Sequence, residues 1–286
     1  MANGPDAHAR SPRRGGLRIG PDLWPRVAAA VAMGLAALIV AWTGNFVFIA
    51  FWWIVSVIVL WEWQRIVRGE RVVERAAAGA LALAVAALFA MHNFALSAIA
   101  TLAVGALAVG WIAGLPAGIW AGAGALYAGA LVVSLGLLRA SPNYGLAAVL
   151  WLFAVVWGAD VAAYFAGRLI GGPKLWVSVS PGKTWSGAIV GALAGAACGL
   201  MLGGVTNRID RLFWLGLAAA IVSQLGDLFE SALKRRFGVK DSSRIIPGHG
   251  GVMDRLDAFV AASLFAAVYA AANSDGSYIA SGLFRW

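Results

Sequence analysis

Long apolar runs separated by short polar segments dominate the chain. Many of these runs reach about the 20 residues that a helix needs to cross a bilayer, and they lack the two-residue alternation of a strand. Backbone polar groups in hydrocarbon must be satisfied within their own segment, so the runs predict helices. We therefore predict an all-α polytopic integral membrane protein with about nine transmembrane helices. The predicted spans are 25–43, 45–61, 76–91, 95–113, 117–138, 145–166, 185–204, 211–232 and 254–272.

The composition points to the same class of protein. Hydrophobic residues make up 61% of the chain, charged residues only 12%, and the mean hydropathy is +0.80. Soluble domains carry about 25% charged residues, so this chain does not resemble one. The single cysteine, Cys198, lies in an apolar segment, which excludes an intramolecular disulfide and argues against a structural zinc site.

Polarity divides the chain into four parts. The first is rich in Arg, Pro and Gly and is expected to be a disordered basic arm. The parts are the arm 1–24, the N-terminal transmembrane helices 25–143, a second transmembrane region 144–274 with polar loops 167–184 and 233–253, and a C-terminal tail 275–286.

The basic residues indicate which loops face the cytoplasm, because Lys and Arg resist translocation and collect on the cytoplasmic side. With the N-terminus inside, 18 of the 22 Lys and Arg residues fall in cytoplasmic segments and four in external ones. We therefore expect a cytoplasmic N-terminus and cytoplasmic loops 167–184 and 233–253. This bias alone would explain the basic residues of the two loops, but it does not explain the acids beside them.

Acidic residues interrupt two of the apolar helices. Asp160 and Asp227 lie inside or at the cytoplasmic end of their spans, where a carboxylate is costly unless it is paired, metal-bound or facing water. Such residues are functional candidates, and the structural alternative is an ion pair with Arg168 or Lys234. Further along, Asp254 and Asp257 share one face at the start of the last helix, where a helix dipole favours carboxylates.

Phosphate-binding features surround these acids. Asp227, Glu230, Ser231 and Lys234 follow one another at helical spacing and form an acidic-then-basic stripe. Carboxylates beside Lys and Arg suit Mg²⁺ and a polyphosphate, because Mg²⁺ takes one or two carboxylates together with phosphate oxygens. The backbone of Gly248, Gly250 and Gly251 can approach a phosphate closely. A second candidate phosphate site is the N-terminus of the seventh predicted helix, where backbone N–H groups can bind an anion. Its candidate residues are Ser180, Gly182, Lys183, Thr184 and Ser186. An ordinary N-cap with a snorkelling lysine would also account for this second loop.

A glycine ridge should let helices approach closely near these loops. Its members recur every four residues along the seventh predicted helix, a spacing that favours close packing. They are Gly187, Gly191, Gly195, Gly199 and Gly203.

Eleven positions between residues 231 and 257 form one further pattern: Ser231, Lys234, Arg235, Lys240, Asp241, His249, Gly250, Gly251, Asp254, Arg255 and Asp257. In their order and spacing they resemble the signature of the CDP-diacylglycerol synthases, also called phosphatidate cytidylyltransferases. The resemblance covers roughly residues 145–272. The loop SPGKTWSG is similar to the family's Ser-Pro-Lys-Lys-Thr-Trp-Glu-Gly, with Gly182 in place of a Lys and Ser186 in place of a Glu.

The resemblance implies an enzyme that joins CTP to phosphatidic acid and forms CDP-diacylglycerol and pyrophosphate, with Mg²⁺ as cofactor. We assign metal ligation to Asp227 and Asp254, and we expect Asp160 either to line the lipid cavity or to pair with a base. His249 either donates to a phosphate or orients its turn. The catalytic candidates are Asp227, Asp254, Asp257, Lys234 and His249. The substrate-binding candidates are Ser180, Lys183, Thr184, Ser231, Arg235, Lys240, Asp241, Gly250, Gly251 and Arg255.

The resemblance also sets the expected partners and location. We expect CTP and phosphatidic acid as substrates, a bacterial inner membrane as location, an active site facing the cytoplasm, no nucleic-acid partner, and a homodimer as the candidate assembly. Two other functions stay open at this stage. A cation- or proton-coupled transporter would use the intramembrane acids as its pathway. A CTP-dependent lipid kinase would share the metal and nucleotide chemistry but would release CDP.

Overall fold

The computed structural model describes residues 23–206, 208–246 and 250–285. Within them, nine α-helices and one two-stranded hairpin follow in chain order, and eight of the helices are long and apolar enough to cross a membrane. The fold class predicted from the hydropathy pattern is confirmed. The elements are α1 (Leu23–Thr43), α2 (Asn45–Val67), α3 (Val72–Met91), α4 (Ala95–Ala113), α5 (Gly118–Arg139), α6 (Gly145–Leu169), β1 (Lys174–Trp176), β2 (Ser180–Thr184), α7 (Trp185–Gly199), α8 (Ile209–Arg236) and α9 (Met253–Asn273).

The helix boundaries follow the predicted spans, with differences at the polar ends. Helix α4 has the predicted bounds, whereas α2 continues to Val67 and α8 to Arg236, well past their apolar parts. A helix does not stop where hydrocarbon stops, because its backbone bonds continue as long as no Gly or Pro ends it. The seventh predicted span ends differently, since α7 passes into a 3₁₀ turn at Leu200–Val205.

Helix α5 lies at the centre of the bundle. Of its most apolar 18-residue stretch, 78% is buried, against 28% for α4. The two helices are separate, as predicted, and their backbones touch where a Cβ on Gly110 would lie 3.0 Å from the carbonyl oxygen of Gly118. An aromatic cluster links α2, α6 and α9, with Trp52 stacked on Phe259 and Phe259 stacked on Phe153.

The predicted glycine ridge packs against α6 and α8. A Cβ on Gly191 would lie 2.8 Å from the carbonyl oxygen of Ala159, and one on Gly195 would lie 2.8 Å from the Cβ of Ala220. The Gly203 end of the ridge is open, with its nearest neighbour 3.7 Å away. This close packing fixes the positions of α6, α7 and α8 relative to one another.

The polar loop before α7 forms an antiparallel hairpin of β1 and β2. Thr184 ends β2 and caps α7, its hydroxyl accepting from the backbone N–H of Gly187 at 3.2 Å. The N-cap expected for this loop is therefore confirmed, whereas Lys183 does not snorkel but pairs with Asp227 of α8.

Candidate active site

Helices α8 and α9 touch where the site begins. A Cβ on Gly226 would lie 2.5 Å from the Cβ of Ala261 and 2.8 Å from the carbonyl oxygen of Asp257, so only glycine allows this approach. The contact brings the neighbouring Asp227 close to Asp257, and the two carboxylates interact electrostatically. Asp160 of α6 interacts with both of them. Carboxylates from three helices therefore lie within electrostatic range of one another.

Two lysines pair with carboxylates of α8 and α9. Lys183 Nζ lies 2.5 Å from an Asp227 oxygen, and both side chains are about one-third exposed or less. Lys234 Nζ lies between two carboxylates, 2.6 Å from Glu230 and 2.7 Å from Asp254. The alternative pairing of Asp227 with Lys234, which the sequence left open, is not the one that forms.

Asp254 organises the loop that follows α8, which we call the signature loop (residues 241–252, described here without 247–249). Its carboxylate accepts from the backbone N–H of Ser242 at 3.0 Å and from that of Gly251 at 2.8 Å, besides pairing with Lys234. Gly250 has a φ of +84°, and a Cβ there would lie 2.7 Å from an Asp254 oxygen. The glycines let the loop close around this carboxylate.

Glu62 of α2 holds the same loop from the other side. Its side chain is fully buried and accepts four hydrogen bonds. The donors are Ser242 Oγ at 3.0 Å, Ser243 Oγ at 2.5 Å, Val252 N at 3.0 Å and Met253 N at 2.7 Å. The N-terminal half of the chain thus contributes directly to the site.

An apolar groove of about 750 Å³ lies between α1, α2, α6 and α9, and Asp160 is the only acidic residue among the described residues of its lining. Its walls include Trp52, Phe153 and Trp157, and its polar members are Asp160 and Arg255. Leu35 and Trp157 are 54% and 39% exposed, so the groove reaches the lipid-facing surface. Of the two roles that the sequence allowed for Asp160, lining a cavity is the one that the structure supports.

The remaining predicted residues lie around this centre. Ser231 Oγ is 3.5 Å from an Asp227 oxygen, on the next turn of α8. Arg235, Lys240 and Asp241 are exposed at the end of α8 and in the loop after it, and Ser180 is half-buried in β2. Arg168 donates to Tyr164 at 3.0 Å. His249 and Gly248 lie outside the described residues.

Comparison with known proteins covers nearly the whole chain. The model of the cytidylyltransferase family matches residues 24–272. The phosphatidate cytidylyltransferase of Brucella suis is 40% identical over 258 residues, which are 87% of this chain and 95% of the relative. That of Haemophilus influenzae is 43% identical over 145 residues, or 48% of this chain and 50% of the relative. That of Staphylococcus epidermidis is 46% identical over 123 residues, or 41% of this chain and 46% of the relative.

This chain belongs to the cytidylyltransferase family. The family match begins at α1 and ends in α9, so it includes the N-terminal helices, which the resemblance in the sequence left out. The wider match agrees with the position of Glu62, since α2 supplies a residue that contacts the signature loop.

The oxygen-rich centre suits Mg²⁺ better than a softer metal. Within the described ranges, no three His, Cys, Asp or Glu side chains form a ready metal cage. Mg²⁺ does not need one, because it is usually held by one or two carboxylates together with substrate phosphates and water. Asp227 has one lysine partner and is partly exposed, whereas both oxygens of Asp254 are occupied by N–H donors. Asp227 is therefore the carboxylate that a cytidylyltransferase could most easily offer to the metal.

Two residues of the site were missed in the sequence. Glu62 lies just outside the predicted span 45–61, so the hydropathy pattern does not identify it as an intramembrane acid. Glu230 was seen in the polar stripe but not assigned a role, although it is fully buried against Lys234. The signal that could have found both is an acid within a helix whose neighbouring turns are apolar.

Proposed function

We propose that this protein is a CTP:phosphatidate cytidylyltransferase that forms CDP-diacylglycerol and pyrophosphate. The observation that carries the proposal is the junction of two unlike environments. An apolar groove that reaches the lipid-facing surface ends at Asp160 and Arg255, beside a carboxylate and lysine cluster. A soluble phosphate acceptor would not need the groove, and a lipid without a phosphate would not need the basic residues.

The chemistry requires alignment rather than a side-chain nucleophile. A phosphate oxygen of phosphatidic acid attacks the α-phosphorus of CTP, a new P–O bond forms, and the bond to the β-phosphate breaks as pyrophosphate leaves. Because the attacking phosphate is already an anion, no base has to remove a proton from it. The protein must hold two anions together and neutralise the charge that builds up on the leaving group.

The residues divide this work according to their positions. Lys183 and Lys234 would exchange their carboxylate partners for substrate phosphates, and the exposed Arg235 and Lys240 would bind the outer phosphates of CTP. Arg255, which lines the groove, would face the lipid phosphate. Backbone N–H groups near Gly250 and Gly251 would support the phosphate chain.

The cofactor in this proposal is Mg²⁺, with Asp227 and Asp254 as ligands and Asp257 in support. When bound, Mg²⁺ neutralises phosphate charge and orients the polyphosphate. To bind the metal, Asp254 would have to give up some of the hydrogen bonds that it accepts from the signature loop and Lys234. Metal binding and the conformation of the loop would therefore be coupled. Asp257, which is half-buried at the start of α9 and interacts electrostatically with Asp227, would support the metal site from the α9 side.

The location and assembly are part of the same proposal. The distribution of Lys and Arg supports a cytoplasmic N-terminus in a bacterial inner membrane, with both polar loops and the site on the side where CTP is present. A homodimer stays a prediction, to be checked by the mass of the protein–detergent complex.

The decisive experiment uses detergent-purified protein, phosphatidic acid, Mg²⁺ and CTP labelled in its α-phosphate. We expect the label in a CDP-lipid and an equal amount of pyrophosphate, with none when glycerol 3-phosphate replaces the lipid. The matched control is Asp227→Asn protein with an unchanged melting temperature. Release of CDP together with a phosphorylated lipid would instead identify a lipid kinase, and well-folded protein that forms neither product would refute the proposal.

A further inference from the structure

Glu62 is a buried carboxylate with an unusual set of partners. Its side chain has no exposed surface, and the partners that the described residues provide are hydroxyl and backbone N–H donors rather than Lys or Arg. A carboxylate buried in this way is costly unless its oxygens are fully hydrogen-bonded. Four donors meet that need only while the signature loop keeps its present shape, so the carboxylate and the loop conformation depend on each other.

The four bonds fasten both ends of the signature loop. Ser242 and Ser243 donate from its beginning, and Val252 and Met253 donate from its end, where α9 starts. A helix from the other half of the chain therefore closes the loop at its base.

Gly251 shows how closely the carboxylate fits. A Cβ on this residue would lie 2.6 Å from a Glu62 oxygen, so the acid occupies the space that a side chain would need. The same residue donates its N–H to Asp254, and so does Ser242. Glu62 and Asp254 thus both contact Ser242 and Gly251, so the position of one carboxylate depends on that of the other.

Helix α2 also forms a wall of the lipid groove. Phe51, Val55 and Ile58 line the groove, and Glu62 follows them at steps of four, three and four residues, on the same helical face. One rigid element therefore contacts the space for the lipid chains and anchors the loop that is expected to hold the nucleotide.

We propose that Glu62 is a positioning residue that sets the signature loop, and through it Asp254 and Lys234, for binding of CTP and Mg²⁺. The proposal rests on the proposed function for the identity of the ligand. It predicts an effect on the nucleotide side of the reaction that exceeds any effect on the lipid side.

The main test is Glu62→Gln. The amide keeps one acceptor oxygen, but its NH₂ group faces donors, so about half of the hydrogen bonds are lost. We expect the KM for CTP and the Mg²⁺ concentration for half-maximal rate to rise at least about tenfold, whereas the KM for phosphatidic acid changes less than about threefold. Gln64→Ala is the matched control, because Gln64 is also buried on α2 but donates to Ala121 of α5. It should lower the melting temperature without changing the KM for CTP.

A second variant tests the contact between Glu62 and the signature loop without changing Glu62 itself. Ser243→Ala removes one donor from the half-buried edge of the loop and should raise the KM for CTP less than Glu62→Gln does. In the double variant the effects should be less than additive, because both changes remove the same contact. If Glu62→Gln does not fold, Ser243→Ala alone decides, and an unchanged KM for CTP would overturn the proposal.

Amide hydrogen exchange separates this proposal from the proposed function. In Glu62→Gln we expect faster exchange at Val252 and Met253, whereas α2 and the middle of α9 stay protected. The exchange measurement does not depend on activity. If the wild-type protein forms no CDP-lipid, the proposed function is refuted, and the exchange data still test whether Glu62 holds the signature loop. Unchanged exchange at both amides, or equal changes in the KM for CTP and for phosphatidic acid, would refute the positioning role.

Discussion

The ammonium group of Lys183 lies 2.5 Å from a carboxylate oxygen of Asp227, and this contact joins the β1–β2 hairpin to α8. The two polar loops of the second transmembrane region are therefore neighbours in space. The pair is about one-third exposed, and ion pairs of this kind contribute at most about 1 kcal/mol to stability. In the proposed function, the two residues separate when the substrates bind, Lys183 contacting a phosphate and Asp227 the metal.

Replacing Lys183 by Met should therefore affect catalysis more than folding. A charged hydrogen bond to a phosphate is worth about 1.5–3 kcal/mol, so kcat/KM for CTP should fall about 10- to 100-fold. The melting temperature should change by only a few degrees. Steady-state pyrophosphate release and thermal unfolding in detergent measure the two effects. Lys174→Met is the control, since Lys174 is exposed on the same hairpin, and an equal loss of activity in both variants would contradict the assignment.

The two proposed metal ligands should respond differently to loss of charge. Asp227→Asn should reduce turnover about 100-fold or more, the loss typical of removing one group that stabilises transition-state charge, with little change in stability. Asp254→Asn should be inactive too, but it should also be less stable by about 1–3 kcal/mol, because Asp254 accepts from Lys234 and two loop amides. Pyrophosphate release against Mg²⁺ concentration, with melting curves alongside, checks both expectations. Near-wild-type turnover in Asp227→Asn would exclude it as a metal ligand.

The glycine ridge provides a test of packing that is separate from the chemistry. Gly195→Ala would place a methyl group 2.8 Å from Ala220 and 2.9 Å from a backbone oxygen of Val155, so the helices must move. We expect a loss of about 1–3 kcal/mol in stability together with reduced activity. In Gly203→Ala the nearest atom is 3.7 Å away, and that variant should behave as wild type. Equal melting temperatures for the two variants would contradict close packing at Gly195.

The proposed orientation can be tested with single cysteines in a Cys198→Ala background. Ser178→Cys, in the exposed turn of the hairpin, should be protected from impermeant thiol reagents in intact cells, whereas Ser277→Cys should react. Permeabilised cells provide the control, because both positions should then be labelled. Reaction at position 178 from outside would place the site away from cytoplasmic CTP.

The helices could be predicted because the bilayer imposes a simple requirement. Backbone groups in hydrocarbon must be satisfied locally, and apolar length therefore reports helix length. The same reasoning failed beyond the hydrocarbon edge, where α2 continues through Glu62 to Val67. Hydropathy measures the preference of a residue for lipid, and it carries no information on polar residues that are buried inside protein.

The site could be predicted as a set of residue types but not as a set of contacts. Helical spacing correctly placed Glu230 next to Lys234, because local geometry determines that pair. The lysine that pairs with Asp227 is 44 positions away, and the hydrogen-bond donors to Glu62 are farther still. Contacts between distant segments depend on how helices pack, which in turn depends on small residues such as Gly226.

The exposed side of the groove at Leu35 and Trp157 determines how the two substrates reach the enzyme. CTP diffuses in three dimensions, whereas phosphatidic acid reaches the groove by lateral diffusion in the bilayer. The rate at fixed CTP should then follow the mole fraction of phosphatidic acid among the lipids rather than its amount per volume of suspension. Diluting phosphatidic acid in the bilayer with inert phospholipid should therefore slow the reaction. The CDP-lipid product leaves by lateral diffusion in the bilayer, without passing through water.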